Sequence, residues 1–458
     1  MDERYELCVI GAGTAGFAAA ETARELGRRV VVVSGPGDLG GTCILRGCMP
    51  AKTLFSSTER LGQVEDAGGL GVEPERVAVD IPAIIARKRQ LVDYFAEDRI
   101  AELETFPLVR GCARFVARDA IDVDGRRIAA ERFIIATGSH VVAPDIPGLA
   151  EASFITSDDA LEMTQIPRSI AIIGGGPVGC EFAQYFARLQ ADVTLLQAED
   201  ELLRKEDADV AAAVHAALER DGVTVACGAR ITAVATHGAE VALSYRTAQV
   251  MHETRARKVM LATGRVPNTR SLELQNAGVA LGDSGAIVVD ADLRTTNPGI
   301  FAAGDVLGRR YLVHVAEYAG RLAVRNAFST RSTPAAFDRF EAHAVYTQPQ
   351  VAVAGLTERD LRARGIGVRT RRHPFDDIGK ALVSNEADGF VKMLVDDDDR
   401  IRGVAIVGDA AIDLIGEAIA LIDRGATARD AAEMPHLHPT MGEVLGRVAD
   451  DFAAAGRA

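Results

Sequence analysis

Unbroken apolar runs separated by a glycine-rich turn open the chain. Residues 7–10 and 30–33 contain no polar position, which is typical of strands buried on both faces of a parallel sheet. Between them, residues 17–26 are rich in helix-forming types and end at Gly27, a residue type that often terminates helices. The pattern predicts a strand, a turn, a helix and a second strand.

The same order returns in the middle of the chain. Residues 170–173 and 193–196 are apolar runs, and residues 180–189 between them are helix-forming. The first unit is also followed by an apolar run that ends in small residues, at 133–139, and residues 260–265 mirror this run after the second unit. The repetition predicts two copies of one α/β unit.

Both predicted turns have the spacing G-x-G-x-x-G. The first copy contains Gly11, Gly13 and Gly16, and the second contains Gly174, Gly176 and Gly179. A plain tight turn could carry the same residues, but glycines between a strand and a helix let a pyrophosphate approach the backbone at the helix N-terminus. We therefore expect two bound dinucleotides, or one and a decayed second copy.

The residue that ends each second strand departs from the usual pattern. An Asp or Glu is expected there to hold a ribose hydroxyl, but the chain has Ser34 in the first unit and Gln197 in the second. Asp38 is close to Ser34 in sequence. Because no basic residue adjoins Gln197, the second site favours NAD over NADP.

The remaining patterns predict further elements. An acidic turn at 396–399, expected to be a solvated loop, joins two apolar runs and predicts an antiparallel hairpin. The other predicted elements are a helix at 84–104, short strands near 115, at 121–123 and at 127–128, hairpin strands at 390–395 and 401–407, and helices at 413–424 and from 441 onward.

Composition limits the possible functions. The chain has 458 residues and a mass of 48.6 kDa, which is too long for one ordinary domain. Its formal net charge of −14 argues against nucleic acid or an anionic membrane surface as a partner. No apolar run reaches the roughly 20 residues of a membrane span. We expect no signal peptide, because the first strand runs straight into the glycine turn.

Two cysteines, Cys43 and Cys48, lie in the segment 40–52 among glycines and before Pro50. They could be zinc ligands, a redox-active disulfide or unrelated core residues. No second cysteine pair completes a zinc set, and a core pair would not need the surrounding glycines. A disulfide between them needs local distortion near a helix start, which Gly47 could supply. The other cysteines are expected to be reduced core thiols, which suggests a cytoplasmic protein; they are Cys8, Cys112, Cys180 and Cys227.

Two later motifs carry candidate polar groups. An apolar run at 300–303 ends in Gly304 and Asp305, which suits an acid held near a cofactor's hydroxyls or a helix-capping aspartate. His436 and His438 lie beside prolines and could form a helix-capping turn with an exposed imidazole. No carboxylate or cysteine cluster near them in sequence suggests a metal site, so no metal is expected.

In this order, the motifs resemble those of the dimeric FAD-containing pyridine nucleotide–disulfide oxidoreductases, and most of all the dihydrolipoamide dehydrogenases. The resemblance covers the whole chain. It implies an α/β fold with two Rossmann-like dinucleotide-binding domains, each in three layers, and a C-terminal α+β dimerisation domain. The implied division is 1–148 for FAD, 149–268 for NAD(P), 269–337 completing the FAD region, and 338–458 for the dimer interface.

The resemblance also implies roles for individual residues. Cys43 is the interchange thiol that meets substrate, and Cys48 is the charge-transfer thiol beside the flavin. Lys52 and Glu181 pair near the flavin, and His438, oriented by Glu443, is an acid–base catalyst that serves the partner subunit. The implied FAD contacts are Gly11, Gly13, Gly16, Ser34, Gly41, Thr42, Lys52, Thr137, Gly138, Gly304 and Asp305; the implied NAD contacts are Gly174, Gly176, Gly179, Gln197 and Gly264.

The implied reaction is oxidation of protein-bound dihydrolipoamide with hydride transfer to NAD⁺ in a homodimer. One alternative is an NADPH-dependent glutathione reductase or a related disulfide reductase. A mercuric reductase is less expected, because it carries a C-terminal cysteine pair and this chain ends in alanines, glycine and arginine. An alternative of another class is a flavin-bearing binding or scaffold subunit without turnover, although a scaffold has no need of both cysteines, His438 and Glu443.

Overall fold

The computed structural model describes residues 3–75 and 77–455, so the last residues named in the mercuric reductase argument, 456–458, lie outside it. The chain folds into two compact units. The first is built from residues up to Thr53, Ile85–Val142 and Gly264–Phe337, and the second from Leu54–Ile84, Ala143–Thr263 and the residues from Asp338 on.

A seven-stranded sheet forms the core of the first unit. Glu3–Ile10 and Val30–Ser34 pair in parallel, as their apolar runs predict. Arg126–Ile135 lies parallel on the other side of Glu3–Ile10, and Ile300–Ala302 pairs with its last residues. The sheet is completed by Leu108–Arg110, Ala113–Ala117 and Ala120–Val123.

One continuous strand, Arg126–Ile135, replaces the two strands predicted at 127–128 and 133–139. Its first residues pair antiparallel with Ala120–Val123, and its last residues pair parallel with Ile300–Ala302. The prediction was wrong because it left out residues 129–132, whose mixed polar and apolar side chains continue the same strand. Glu131 is exposed, and Arg132 donates from Nε to the carbonyl oxygen of Ala327 at 3.3 Å.

Helices and a small ladder complete the first unit. Thr14–Glu25 packs closely on Val313–Phe328, since a Cβ on Gly320 would lie 2.2 Å from the carbonyl oxygen of Ala15. Ser139–Val141 pairs antiparallel with Arg265–Pro267. The other helices are Gly41–Arg46, the start of Cys48–Asp66, most of Ile81–Leu103 and the 3-10 turns Arg270–Leu272, Leu274–Ala277 and Gly304–Leu307.

The second unit repeats the parallel sheet and adds a separate antiparallel ladder. In order across the sheet its strands are Thr224–Ala226, Asp192–Leu196, Ser169–Ile173, Lys258–Leu261 and Phe154–Thr156. The helices that accompany this parallel sheet are Ser157–Ala160, Pro177–Arg188 and Ala208–Arg220. The ladder consists of Arg230–His237, Glu240–Thr247 and Val250–Ala256.

The C-terminal part of the second unit is an antiparallel sheet with helices. Phe390–Val395 and Ile401–Gly408 form the predicted hairpin. In order across the sheet the strands are Ala342–Val345, Gln350–Gly355, Ile401–Gly408, Phe390–Val395 and Arg369–Pro374. The helices are Glu358–Ala363, Gly379–Ser384, Ala411–Asp423, Ala428–Ala432 and Glu443–Ala455. Two repeated α/β parts and a C-terminal α+β part confirm the predicted fold class.

Three smaller expectations were wrong. Asp396 is not simply solvated: it is 5% exposed and accepts bonds from the backbone of Asp398 and Arg400 and, at 2.6 Å, from Arg402 Nε. Cys112 is exposed and Cys227 is half-buried, because both lie where a strand meets a turn. The last helix begins at Glu443 rather than Met441.

None of the helices in the described ranges is both long and apolar enough to cross a membrane.

Candidate active site

The first glycine turn leaves the N-terminus of the helix Thr14–Glu25 open. Gly13 is the N-cap, no side chain caps the helix, and the first turn has no acidic residue. A Cβ on Gly11 would lie 2.1 Å from the carbonyl oxygen of Ala136, and one on Gly16 would lie 1.8 Å from that of Gly11. Only glycine fits at these two positions, whereas a Cβ on Gly13 would meet only the Cα of Gly41, at 3.9 Å. The first backbone N–H groups of a helix have no acceptor within it. A phosphate group fits such a site.

The second glycine turn has the same construction. Gly176 caps Pro177–Arg188 without any side-chain bond. A Cβ on Gly174 would lie 2.4 Å from the carbonyl oxygen of Ala262, and one on Gly179 would lie 1.8 Å from that of Gly174, but nothing lies within 4 Å of one on Gly176. Both turns therefore have two glycines required by packing and a third whose own Cβ would meet no close contact.

The side chain of Gln197 closes the second turn. Its Oε1 accepts a bond from the backbone N–H of Gly175 at 3.0 Å, and its Nε2 donates to the carbonyl oxygen of Glu201 at 3.2 Å. In the first unit, Ser34 is 8% exposed. The loop after Ser34 is held by Arg110, whose Nε donates to the carbonyl oxygen of Gly35 at 3.3 Å and whose Nη2 donates to that of Gly37. Sequence reasoning missed Arg110, since only the fold brings it to this loop.

Gly47 separates the helices that carry the two cysteines. Gly41–Arg46 contains Cys43, and Cys48–Asp66 begins at Cys48. Gly47 between them has φ −135° and ψ −117°, far from helical values. A Cβ on Gly47 would lie 2.9 Å from the carbonyl oxygen of Thr42. The helix break agrees with the distortion that the sequence predicted at this glycine.

Cys43 and Cys48 are not joined by a disulfide in this structure; their sulfurs share a hydrogen bond instead. That bond, together with burial and repulsion between the two thiolates, raises the pKa of Cys43, while a bond from the backbone N–H of Cys48 and the charge of Arg99 oppose the rise. Arg99 stacks on Phe17 at 3.9 Å from the ring centroid, and sequence reasoning missed it.

Asp305 belongs to a half-buried polar network in the first unit. Its Oδ2 accepts a bond from Ser139 Oγ at 2.7 Å, and Arg265 donates to Ser139 Oγ and to the Ser139 carbonyl oxygen, both at 2.7 Å. Burial raises the pKa of Asp305, and the bond from Ser139 and the charge of Arg265 oppose the rise. Ser139 and Arg265 were not among the predicted site residues.

The small-residue turns near Asp305 use backbone conformations that favour glycine. Gly304 has φ +79°, and Gly138 and Gly264 have φ +73° and +104°. A Cβ on Gly304 would lie 2.9 Å from that of Ala15. The residue immediately before Asp305 therefore packs directly on the helix Thr14–Glu25. Thr137 Oγ1 donates to the carbonyl oxygen of Asn268 at 2.7 Å, which ties the two turns together.

Lys52 and Glu181 lie on different units. Lys52 is one helical turn after Cys48 on Cys48–Asp66. Glu181 is 6% exposed, and its Oε1 accepts a bond from the backbone N–H of Tyr346 at 2.9 Å. The ion pair between Lys52 and Glu181 stays a prediction.

His438 and Glu443 contact each other just before the last helix. His438 Nδ1 lies 3.0 Å from Glu443 Oε2, and the backbone N–H of Thr440 donates to Glu443 Oε1 at 2.9 Å. The bond with His438, together with that from Thr440, lowers the pKa of Glu443. The imidazole is 75% exposed and Glu443 is 18% exposed. The carboxylate therefore fixes the ring from one side and leaves Nε2 directed away from it.

Two family models match the chain. The pyridine nucleotide-disulphide oxidoreductase model matches residues 5–320, and the dimerisation domain of the same family matches residues 342–449. The chain belongs to this family. Members of the pyridine nucleotide-disulphide oxidoreductase family are flavoproteins that bind FAD and pyridine nucleotides, and the dimerisation domain indicates a homodimer.

Individual relatives in the family carry different activities in their names. A mercuric reductase of Staphylococcus aureus is 33% identical over 98% of this chain and 83% of its own length. A dihydrolipoyl dehydrogenase of Bacillus subtilis (strain 168) is 33% identical over 96% of each chain. The Cu(II) complex of the HOCl-induced flavoprotein disulfide reductase RclA from Escherichia coli has a TM-score of 0.87 at 27% identity, covering 98% of this chain and 99% of its own.

The residues of the first unit fit FAD. The open helix N-terminus at Gly13 suits the diphosphate, and the half-buried carboxylate of Asp305 suits sugar hydroxyls. The second glycine turn fits a pyridine nucleotide by the same argument. The two glycine turns, the cysteine pair and the contact between His438 and Glu443 are thus compatible with a flavoprotein disulfide oxidoreductase.

Proposed function

We propose that this chain is a dihydrolipoamide dehydrogenase, which oxidises protein-bound dihydrolipoamide to lipoamide and transfers a hydride to NAD⁺. The observation that carries the proposal is the contact between His438 and Glu443 at 3.0 Å in a chain that also holds the hydrogen-bonded Cys43 and Cys48. A dithiol substrate must lose two protons as well as two electrons, and the imidazole is the group that takes protons near neutral pH.

The proposed reaction starts from a Cys43–Cys48 disulfide. His438 deprotonates a substrate thiol. The resulting thiolate attacks the sulfur of Cys43 and releases Cys48 as a thiolate. The second substrate thiolate attacks the substrate sulfur of this mixed disulfide, which releases Cys43 and closes the cyclic disulfide of lipoamide. The two substrate electrons then reside on the cysteine pair; one substrate proton stays between Cys43 and Cys48, and the other leaves through His438. The hydrogen-bonded pair of the structure corresponds to this reduced state.

Glu443 orients the imidazole and stabilises its cation. FAD, when bound, supplies the two-electron carrier between the cysteine pair and the nicotinamide. Gly11, Gly13, Gly16 and Asp305 would hold it, with Lys52 and Glu181 near its ring. In this proposal the second turn binds NAD, since Glu199, Asp200 and Glu201 follow Gln197 and would repel the extra phosphate of NADP.

The proposal extends to assembly. Residues 1–148 and 269–337 form the FAD-binding region, 149–268 the NAD-binding domain and 338–458 the dimer interface. The exposed His438 serves the partner subunit, and the partner substrate is a lipoyl-carrying protein. A cytoplasmic location agrees with a single redox-active pair in an otherwise reduced chain.

Steady-state rates separate this proposal from its alternatives. The purified enzyme should oxidise free dihydrolipoamide with NAD⁺ faster than it reduces glutathione disulfide or Hg(II) with NADH or NADPH. Cys43→Ser and His438→Ala should each lower lipoamide turnover by about 10³-fold or more, with FAD still bound. Cys112→Ser, at an exposed thiol, is the matched control and should keep full turnover.

Other outcomes would replace the proposal. Faster turnover of glutathione disulfide with NADPH would identify a glutathione-type reductase, and faster turnover of Hg(II) would identify a mercuric reductase. Full lipoamide turnover in Cys43→Ser or His438→Ala would show that the substituted residue does not have the proposed catalytic role. No turnover with any of these substrates, with FAD bound, would favour the scaffold.

A further inference from the structure

The loop that carries His438 has a second attachment, at His436. His436 Nε2 lies 2.9 Å from Glu417 Oε1, on the helix Ala411–Asp423. The imidazole of His436 is 13% exposed, in contrast to the 75% of His438. The two histidines of one loop therefore have opposite environments, one held within the domain and one presented to solvent.

Gly446 provides the surface on which the His436 ring lies. A Cβ on Gly446 would stand 2.8 Å from Nδ1 and 3.0 Å from Cε1 of His436. Gly446 belongs to the helix Glu443–Ala455, which also supplies Glu443. The ring of His436 thus lies between two helices, bonded to a carboxylate of one and packed on a glycine of the other.

The two attachments act on opposite sides of His438. Glu443 holds the His438 ring and the Thr440 backbone, while Glu417 holds His436 on the N-terminal side of the loop. A segment attached at only one end would swing about that end, and exposed loops are the most mobile parts of a fold. Two attachments restrict the backbone of His438 as well as its ring.

We infer that His436, with Glu417 and Gly446, is a positioning residue for His438. The inference rests on the proposed function, because it assumes that His438 transfers the proton. His436 itself meets no substrate; it acts by holding the backbone of the loop. Loss of this attachment should weaken proton transfer more than substrate binding, since a displacement of about 1 Å can slow a reaction by about 10²-fold.

The test compares holoenzyme variants in two measurements. His436→Ala and Glu417→Gln should lower kcat with dihydrolipoamide by about ten-fold or more, with KM changed less than about two-fold. His436→Gln keeps an N–H that can donate to Glu417 and should restore most of kcat. NADH oxidation by ferricyanide, which takes electrons without a proton transfer through His438, should be unchanged in all three variants.

Hydrogen–deuterium exchange gives a readout that needs no substrate. The Thr440 amide is protected by its bond to Glu443 Oε1, so peptides covering 436–443 should exchange faster in His436→Ala and Glu417→Gln. Gly446→Ala, which displaces the ring without removing it, should do the same. His343→Gln is the matched control. His343 also pairs with a glutamate, Glu206, at 2.7 Å, but it lies on the strand Ala342–Val345 and not in the loop 436–443.

The outcomes separate this inference from the proposed function. If dihydrolipoamide is not a substrate but exchange at 436–443 rises in the variants, the attachment stands and only the assigned reaction fails. Unchanged exchange in His436→Ala would overturn the attachment. If the rate of NADH oxidation by ferricyanide fell in parallel with kcat for dihydrolipoamide, the inference would also be overturned, because the substitution would then have damaged the enzyme as a whole.

Discussion

The backbone of Gly41 lies against that of Gly13: a Cβ on Gly41 would stand 2.7 Å from the Gly13 Cα. Gly41 begins the helix that carries Cys43, and Gly13 caps the helix of the first glycine turn. The contact therefore places the cysteine segment directly on the turn proposed to hold the FAD diphosphate. No side chain fits between the two backbones.

Gly41→Ala should disturb both features together. Gly41 has φ +78°, where an alanine costs about 1–2 kcal/mol, and the methyl group also forces the two backbones apart. We expect a lower melting temperature and a reduced FAD content, measured by differential scanning calorimetry and by the ratio of flavin to protein absorbance. Gly35→Ala is the control, because no atom lies within 4 Å of a Cβ there. Normal FAD content in Gly41→Ala would contradict the packing argument.

The network around Asp305 yields a second prediction. Ser139→Ala removes the hydroxyl that donates to Asp305 at 2.7 Å, and with it a contribution that lowers the pKa of this half-buried carboxyl. A hydrogen bond to a charged group contributes about 1.5–3 kcal/mol, so FAD affinity should fall by about ten-fold or more. The loss should be greater at acidic pH, where Asp305 protonates more readily.

Equilibrium dialysis followed by flavin fluorescence measures this loss of FAD. Ser153→Ala, at an exposed position, is the control and should bind FAD normally. Unchanged affinity in Ser139→Ala at every pH would show that Asp305 needs no support from Ser139.

The features that sequence could predict are those written in contiguous residues. The apolar runs and glycine turns identified the repeated strands and helices, and Gly47 marked the break between the cysteine helices. The Asp305 network could not be predicted in this way, because Ser139 and Arg265 are 126 positions apart and Ser139 and Asp305 are 166 apart. The pairing of Ser139–Val141 with Arg265–Pro267 brings Ser139 to Arg265, and Asp305 follows Ile300–Ala302, which pairs with the strand that ends just before Ser139.

Lys392 illustrates the same limit. It lies in a strand predicted from its apolar pattern, yet its side chain is 6% exposed and pairs with three carboxylates, Asp207 at 3.1 Å, Asp209 at 2.9 Å and Glu358 at 2.8 Å. A buried lysine is tolerated only with such partners. Nothing in the sequence around Lys392 indicates them, since they come from two other parts of the chain.

The cysteine pair gives a third prediction. The bond with Cys48 is the largest cause of the raised pKa of Cys43. In Cys48→Ala this bond and the repulsion from a second thiolate are both lost, so the pKa of Cys43 should fall. At mildly alkaline pH, iodoacetamide should then alkylate Cys43 several-fold faster in Cys48→Ala than in the reduced parent enzyme. Mass spectrometry of the peptide that contains Cys43 measures the rate. Cys112 in the same sample is an internal control, and equal Cys43 rates in the two proteins would refute the shared proton.

The last prediction concerns stability and pH through Asp409, which follows the strand Ile401–Gly408. Burial, together with repulsion from Glu386, Glu59 and Asp66, raises the pKa of Asp409 to about 6, against the charge of Arg188. Arg188 cannot compensate fully, because its Nε is paired with Asp221 at 3.0 Å. The ionised form of Asp409 is therefore disfavoured in the folded chain.

The sign of the pH dependence follows from proton binding. Between the unfolded value of about 3.9 and the folded value of about 6, the folded chain binds more protons than the unfolded chain. Its free energy of unfolding must fall as pH rises through this window and become level above it. Asp409→Asn removes the titration while keeping the shape of the side chain.

Asp409→Asn should therefore melt a few degrees higher than the parent at neutral pH, and the difference should disappear as pH falls toward 4. Thermal unfolding of both FAD-bound proteins across this range measures the effect. Asp388→Asn, whose side chain is 84% exposed, controls for the simple loss of one negative charge from an acidic protein. If it stabilises as much as Asp409→Asn, the gain reflects net charge rather than the burial of Asp409, and the local argument fails.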